Sequence, residues 1–161
     1  MEIKEKSPKK VQSSILELAR EEFLYMAKIA EQTERFEDMV DAMNKVVAAN
    51  ADLTVEERSL LSVAYKNTIF SRKTAWRALS SIEKKEEQKG SRNIGLLKRY
   101  KAKVEGELNR YCNEILYLID SQFLVKSANA EARVFYYKIK GDYYRYMSEY
   151  TSGAEHNKAA D

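Results

Sequence analysis

Almost nothing in this sequence punctuates strands or tight turns: there is a single proline, Pro8, and only five glycines. That scarcity argues against a turn-rich β fold. With one cysteine, Cys112, no disulfide can form within the chain, and a lone thiol suits a reducing compartment. One histidine, His156, cannot supply a Ser-His-Asp triad, a zinc cluster or an HExxH helix. Glycine patterns of the dinucleotide-binding or P-loop kind are missing, and Cys112 falls on an apolar helical seam, where a packed thiol is expected and not a nucleophile. No catalysis and no cofactor are therefore expected. No apolar run approaches the length of a membrane span, and Glu17, Arg20, Glu21 and Glu22 interrupt any N-terminal signal segment. The expected location is the cytoplasm, with the nucleus as a second possibility, and no membrane partner.

What is abundant suits amphipathic helices: 44% hydrophobic and 33% charged residues in 161. Such a length can bury about two thirds of its unfolded surface around one core. The expected organisation is a flexible tail at 1–13 and one all-helical domain, an antiparallel bundle, at 14–161. Ser14 with Glu17 has the spacing of a capping box and predicts a first helix running to about Thr33. Met39, Val40, Met43, Val46 and Val47 recur at helical spacing in a second helix that ends near Asn50. Thr54 with Glu57 predicts the start of a long third helix with Leu60, Leu61, Ala64, Tyr65, Ile69, Trp76, Leu79 and Ile82 on its buried side, broken at Gly90 and Ser91. Leu97, Val104, Leu108, Tyr111, Ile115 and Leu118 mark the fourth helix. Phe135, Tyr136, Ile139, Tyr143, Tyr146, Met147 and Tyr150 mark a fifth, closed near Gly153, and Glu155–Asp161 reads as the first turns of a sixth.

Within the third helix, Lys66, Phe70, Lys73 and Arg77 step by four, three and four residues, which keeps them in one stripe roughly 16 Å long. A cationic stripe on a rigid rod attracts phosphate, although lysine and arginine at this spacing usually form only a solvated face. Net charge is a mild +3 and the isoelectric point near 8.8, short of the dense basicity of a general nucleic-acid binder. Aromatic platforms are not interleaved with the charges, so a nucleic-acid partner is not expected.

Four segments resemble one family: KIAEQTERFEDM at 28–39, EERSLLSVAYKN at 56–67, Trp76 with Ser80 to Lys84, and VFYYKIKGDYYRY at 134–146. The chain resembles the 14-3-3 proteins from about Glu22 to Asp161, and LTVEER at 53–58 resembles plant members most. That resemblance implies an all-helical dimer whose protomers each present a groove for phosphoserine or phosphothreonine peptides of client proteins, acting as an adaptor in signalling without catalytic residues. Carried onto this chain, it implies a phosphate site of Lys66, Lys73, Arg145 and Tyr146, with Lys138 along the same groove. The chemistry fits: a dianionic phosphate offers three acceptor oxygens, the Arg145 fork can meet two, the lysines add point charge and the Tyr146 hydroxyl can donate.

The resemblance also implies a dimer, homo- or heteromeric, in which Ile29, Thr33, Ala75 and Tyr100 make the apolar contact and Arg35 pairs with Glu107, and Asp38 with Lys103, across the interface. Three departures stand out. Lys73 occupies a position where the family has arginine, which keeps charge but loses the fork. Phe70 stands where the family usually has glycine, and either narrows the groove or packs on neighbouring aliphatic side chains. The nine-helix fold implied by the family would be truncated here at the start of the sixth helix. The alternative expectation is accordingly a dimerisation module that pairs with full-length relatives and binds clients weakly or not at all.

Overall fold

The computed structural model describes residues 8–127 and 129–159, and of these all side chains except those of Ser13 and residues 152–159. The described residues form helices and no strand: α1 (Pro8–Gln32), α2 (Phe36–Ala49), α3 (Val55–Lys89), α4 (Ile94–Leu118) and α5 (Ala130–Ala159). Between α4 and α5 the chain widens into a π turn, Ile119–Phe123, and makes a last short helical turn, Leu124–Lys126. Packing divides the chain into two compact units, Met1–Ala64 and Tyr65–Asp161, with the boundary inside α3.

In the first unit α1 and α2 pack as a helical hairpin over Ala27, Met39, Val40, Met43, Val46 and Leu61, each at most 1% exposed. The expected capping box at Ser14 does not form. Instead the chain is already helical at Pro8, the first described residue, and the Ser14 hydroxyl donates back to the Lys10 carbonyl at 3.0 Å. Residues 1–7 of the expected tail lie outside the described residues, as does the side chain of His156. The outer face of α1 leaves Ile15, Leu18 and Tyr25 60 to 66% exposed.

The capping box at Thr54 forms as the spacing requires: the Thr54 amide donates to Glu57 Oε1 at 2.8 Å and the Glu57 amide to Thr54 Oγ1 at 3.2 Å. Gly90 ends α3 at φ 64°, with its amide bonded to the Glu87 carbonyl and that of Ser91 to the Glu86 carbonyl, the paired closure of a Schellman motif. Glu34 ends α1 with the same closure at φ 57°, a left-handed conformation that costs a residue with a Cβ about 1 kcal/mol or more.

In the second unit the later part of α3 lies antiparallel to α4. As numbering rises along α3 through Tyr65, Trp76, Glu83 and Glu87, the α4 partners fall through Glu114, Glu105, Lys101 and Lys98. The α4 and α5 helices also run antiparallel: Phe123 stacks on Tyr136 at 4.7 Å between ring centroids, Asp120 pairs with Lys140, and Asn109 accepts from the Tyr150 hydroxyl. Tyr65, Ile69, Leu108, Ile115 and Phe123 fill this core. Asn129 caps α5 by accepting from the Glu131 amide at 2.9 Å.

Two expectations are corrected here. Ile82 was expected on the buried side of α3 but is 45% exposed, because its turn lies where the apolar stripe of the helix gives way to Glu83 and Lys101, which pair at 3.1 Å and are both buried. The predicted break near Gly153 is absent. Helix α5 continues to Ala159, so residues 155–159 belong to the fifth helix and do not start a sixth, and residues 160–161 lie outside the described residues. A single glycine costs only about 1 kcal/mol in a helix, and no proline follows it, while Ala154, Glu155, Lys158 and Ala159 are helix formers.

Candidate anion-binding site

The second unit brings two charged helical faces together. On α3, Lys66 and Phe70 are exposed, Lys73 is half-buried and Arg77 is exposed. On α5, Lys138, Asp142, Arg145 and Glu149 recur at spacings of four, three and four, the same period as the α3 stripe but alternating in sign. Tyr146 lies beside that row and is half-buried.

The two faces meet at Lys73. Its ammonium sits 4.1 Å above the centre of the Tyr146 ring and 3.1 Å from Glu149 Oε2. Arg77 takes the other carboxylate oxygen, with Nη2 at 2.6 Å and Nε at 2.7 Å from Glu149 Oε1. The Arg145 guanidinium also approaches the Tyr146 ring, at 5.5 Å, and its Nη2 is 3.3 Å from Asp142 Oδ1. Lys73, Arg145 and Tyr146 therefore converge, with a Lys–Tyr–Arg arrangement in which the aromatic face is shared by two cations. Lys66 and Lys138 are exposed on the same two helices and make no ion pair among the described residues.

Glu149 is the residue that reading the sequence for cations missed. It lies four residues beyond Arg145 on the same face, a spacing that could have found it. Partial burial pushes its carboxyl upward, but hydrogen bonds from Arg77 and Lys73, and their charges, outweigh that and hold it below the ordinary carboxylate value. The site thus carries an internal anion on the cations nearest its centre. Cys112 lies buried in the same unit, where desolvation raises the thiol to about 11 in spite of a Tyr150 hydrogen bond and the Lys73 charge, both of which lower it. A thiol with that pKa is protonated at neutral pH.

Phe70 does not pack away: its side chain is 61% exposed, one turn from Lys66 on one side and from Lys73 on the other. Among the expected dimer residues, Ile29, Thr33, Arg35 and Asp38 line an open cleft of about 430 Å³ in the first unit, together with Phe23 and Met26. Arg35 and Asp38 satisfy each other within the chain at 2.6 Å, and Glu107 meets Arg72 at 3.5 Å. Ala75 is half-buried, while Tyr100 at 58% exposure and Lys103 face solvent. Among the described residues there is no group of His, Cys, Asp or Glu that could hold a metal ion, and no helix is long and apolar enough to cross a membrane.

Comparison with known proteins points in one direction. A model of the family described as 14-3-3 protein matches residues 26–161. The 14-3-3-like protein GF14 epsilon of Arabidopsis thaliana is 53% identical over 147 residues, covering 91% of this chain and 58% of that protein. The 14-3-3-like protein A of Vicia faba is 53% identical and the 14-3-3-like protein C of Glycine max 52%, each over 88% of this chain. The chain spans 55 to 58% of the length of these three relatives. With a family match across most of its residues and more than half of the aligned residues identical to those of plant relatives, this all-helical chain belongs to the 14-3-3 family.

Proposed function

We propose that this chain recognises phosphoserine or phosphothreonine peptides of client proteins as a non-catalytic signalling adaptor, with Lys66, Lys73, Arg145 and Tyr146 receiving the phosphate and Lys138 extending the basic wall. The observation that carries this reading is the convergence of Lys73 and Arg145 on Tyr146, at 4.1 and 5.5 Å from its ring centre, with Lys66 exposed two turns away on α3. Dimerisation, homo- or heteromeric, belongs to the same proposal. It places Ile29, Thr33, Ala75 and Tyr100 in the apolar contact, with the pairs Arg35–Glu107 and Asp38–Lys103 formed between protomers as Arg35 and Asp38 release each other and Glu107 releases Arg72. Exposed ion pairs of this kind contribute little stability and serve to set register. The expected setting is the cytoplasm or nucleus, with protein clients and not nucleic acid or membrane as partners.

One observation favours a second reading, a dimerisation module with weak client binding: Lys73 and Arg77 are already taken by Glu149. A phosphate must share or displace that carboxylate, so binding should be weak and strongly salt-dependent. Capture of a fluorescent phosphoserine peptide separates the two readings. The adaptor reading expects phosphate-dependent binding that Lys66→Glu reduces by about a hundredfold, since one charge-assisted contact is lost and a repulsion added. An absence of capture by both chains, with the dimer intact by sedimentation, supports the module instead.

A further inference from the structure

The α3 face mixes two chemistries that a bare phosphate site does not need. Three of its four outward positions are cations, Lys66, Lys73 and Arg77, and the fourth is a phenyl ring left 61% exposed. Set between two cations of that face, the exposed Phe70 ring offers apolar surface to a peptide that docks there. Its position is also fixed. Phe70 lies about 6 Å along the axis from Lys66 and about 4.5 Å from Lys73, so it occupies the space between the two lysines of the stripe.

On that basis we propose that Phe70 is a specificity-determining residue, an apolar subsite selecting phosphopeptides that carry a large aliphatic or aromatic side chain within two residues of the phosphorylated one; this rests on the phosphopeptide reading of the same site. A phosphate held by Lys66, Lys73 and Arg145 brings its peptide across α3, and an extended chain advances about 3.3 Å per residue. One or two residues from the phosphoresidue, a side chain then reaches the height of the Phe70 ring. The flanking Lys66 and Lys73 disfavour a basic residue at that point, and the ring disfavours a small polar one, because neither would cover it. An incoming apolar side chain therefore meets Phe70 without displacing any ion pair, whereas the phosphate alone contends with Glu149 for Lys73 and Arg77.

Fluorescence polarisation with phosphoserine peptides that differ only in having Leu or Gly at each of the two positions before and after the phosphoserine tests this. The wild-type chain should prefer Leu over Gly by about fivefold at one of those positions. The exposed variant Phe70→Ala should erase that preference, so that Leu and Gly peptides bind alike, and Phe70→Trp should retain it. Circular dichroism of each variant should match wild type, since an exposed helical position accepts alanine without loss of packing. The proposal is overturned by equal affinity for Leu and Gly peptides in the wild-type chain, or by a Phe70→Ala variant that binds every peptide more tightly to the same degree, which makes the ring an obstruction. If the wild-type chain shows no binding that depends on phosphate and on Lys66, tested with Lys66→Glu, the phosphopeptide reading itself fails, and this subsite with it.

Discussion

Two stretches of α3, its first turn and its middle, carry charge in opposite ways. At the first turn Glu57 is 2% exposed and paired: one carboxylate oxygen accepts from the Thr54 amide, and the other lies 2.5 Å from Arg20 Nη1 of α1. Nearby, buried Arg58 donates to the Leu53 carbonyl at 3.2 Å. In the middle, Lys66, Lys73 and Arg77 share one surface stripe, and Glu149 answers only the last two. A buried charge must be paired at the point where it is buried, because desolvation is otherwise too costly. A surface charge need not be, so an excess of one sign survives only where water or a ligand can supply the counter-ion. The first turn therefore reads as architecture and the middle as a place for a partner.

The largest effect should come from the first turn. Glu57→Ala removes half of the capping box and leaves the Arg20 guanidinium without its carboxylate. It should destabilise the chain by about 3 to 5 kcal/mol in urea denaturation. A loss near that of an ordinary surface charge would show that the pair is not buried in solution. Thr54→Ala, which leaves the Arg20–Glu57 pair in place, should cost only about 1 kcal/mol in the same measurement. The difference between the two variants isolates the ion pair from the cap.

At the middle of the helix the expected stability changes are smaller and of another kind. Glu149→Gln keeps the shape but removes the internal anion, so phosphopeptide affinity should rise, by about fivefold or less. The same variant should alter the acid limb of the stability curve. Because the Glu149 carboxyl titrates below its ordinary value in the folded chain, its stabilising contribution is present above the unfolded pKa and is lost as pH falls through the lower, folded one. Glu149→Gln should remove that part of the acid-side slope by lowering stability slightly at neutral pH, with variant and wild type converging in acid. An unaltered affinity would mean that Glu149 does not contend with the ligand, and the contrast between the two stretches of α3 would weaken.

Much of this was legible from spacing alone. Thr54 and Glu57 are three apart and both can bond backbone amides, so the capping box follows from chemistry that acts over one turn. The stripes on α3 and α5 follow from helical periodicity in the same way. Where spacing misled, a competing local effect decided. Ser14 and Glu17 have the same pattern as Thr54 and Glu57, but the chain is already helical from Pro8 and the Ser14 hydroxyl bonds back to the Lys10 carbonyl, so no helix end is left there to cap. Gly153 resembles Gly90, yet only Gly90 adopts the positive φ that turns the chain out of a helix.

By itself the sequence determined that the chain is helical, where most helices begin and end, and which side chains share a face, because those features depend on neighbours within about one turn. Only the tertiary structure decided what those faces meet. Glu149 is 72 residues from Arg77 along the chain, and no local rule says that the two must touch. The packing of α5 on α4, and of α4 on α3, brings that carboxylate onto the basic stripe. It also leaves Lys66 and Phe70 uncovered beside it, since a helix can bury only the stripe that its neighbours cover.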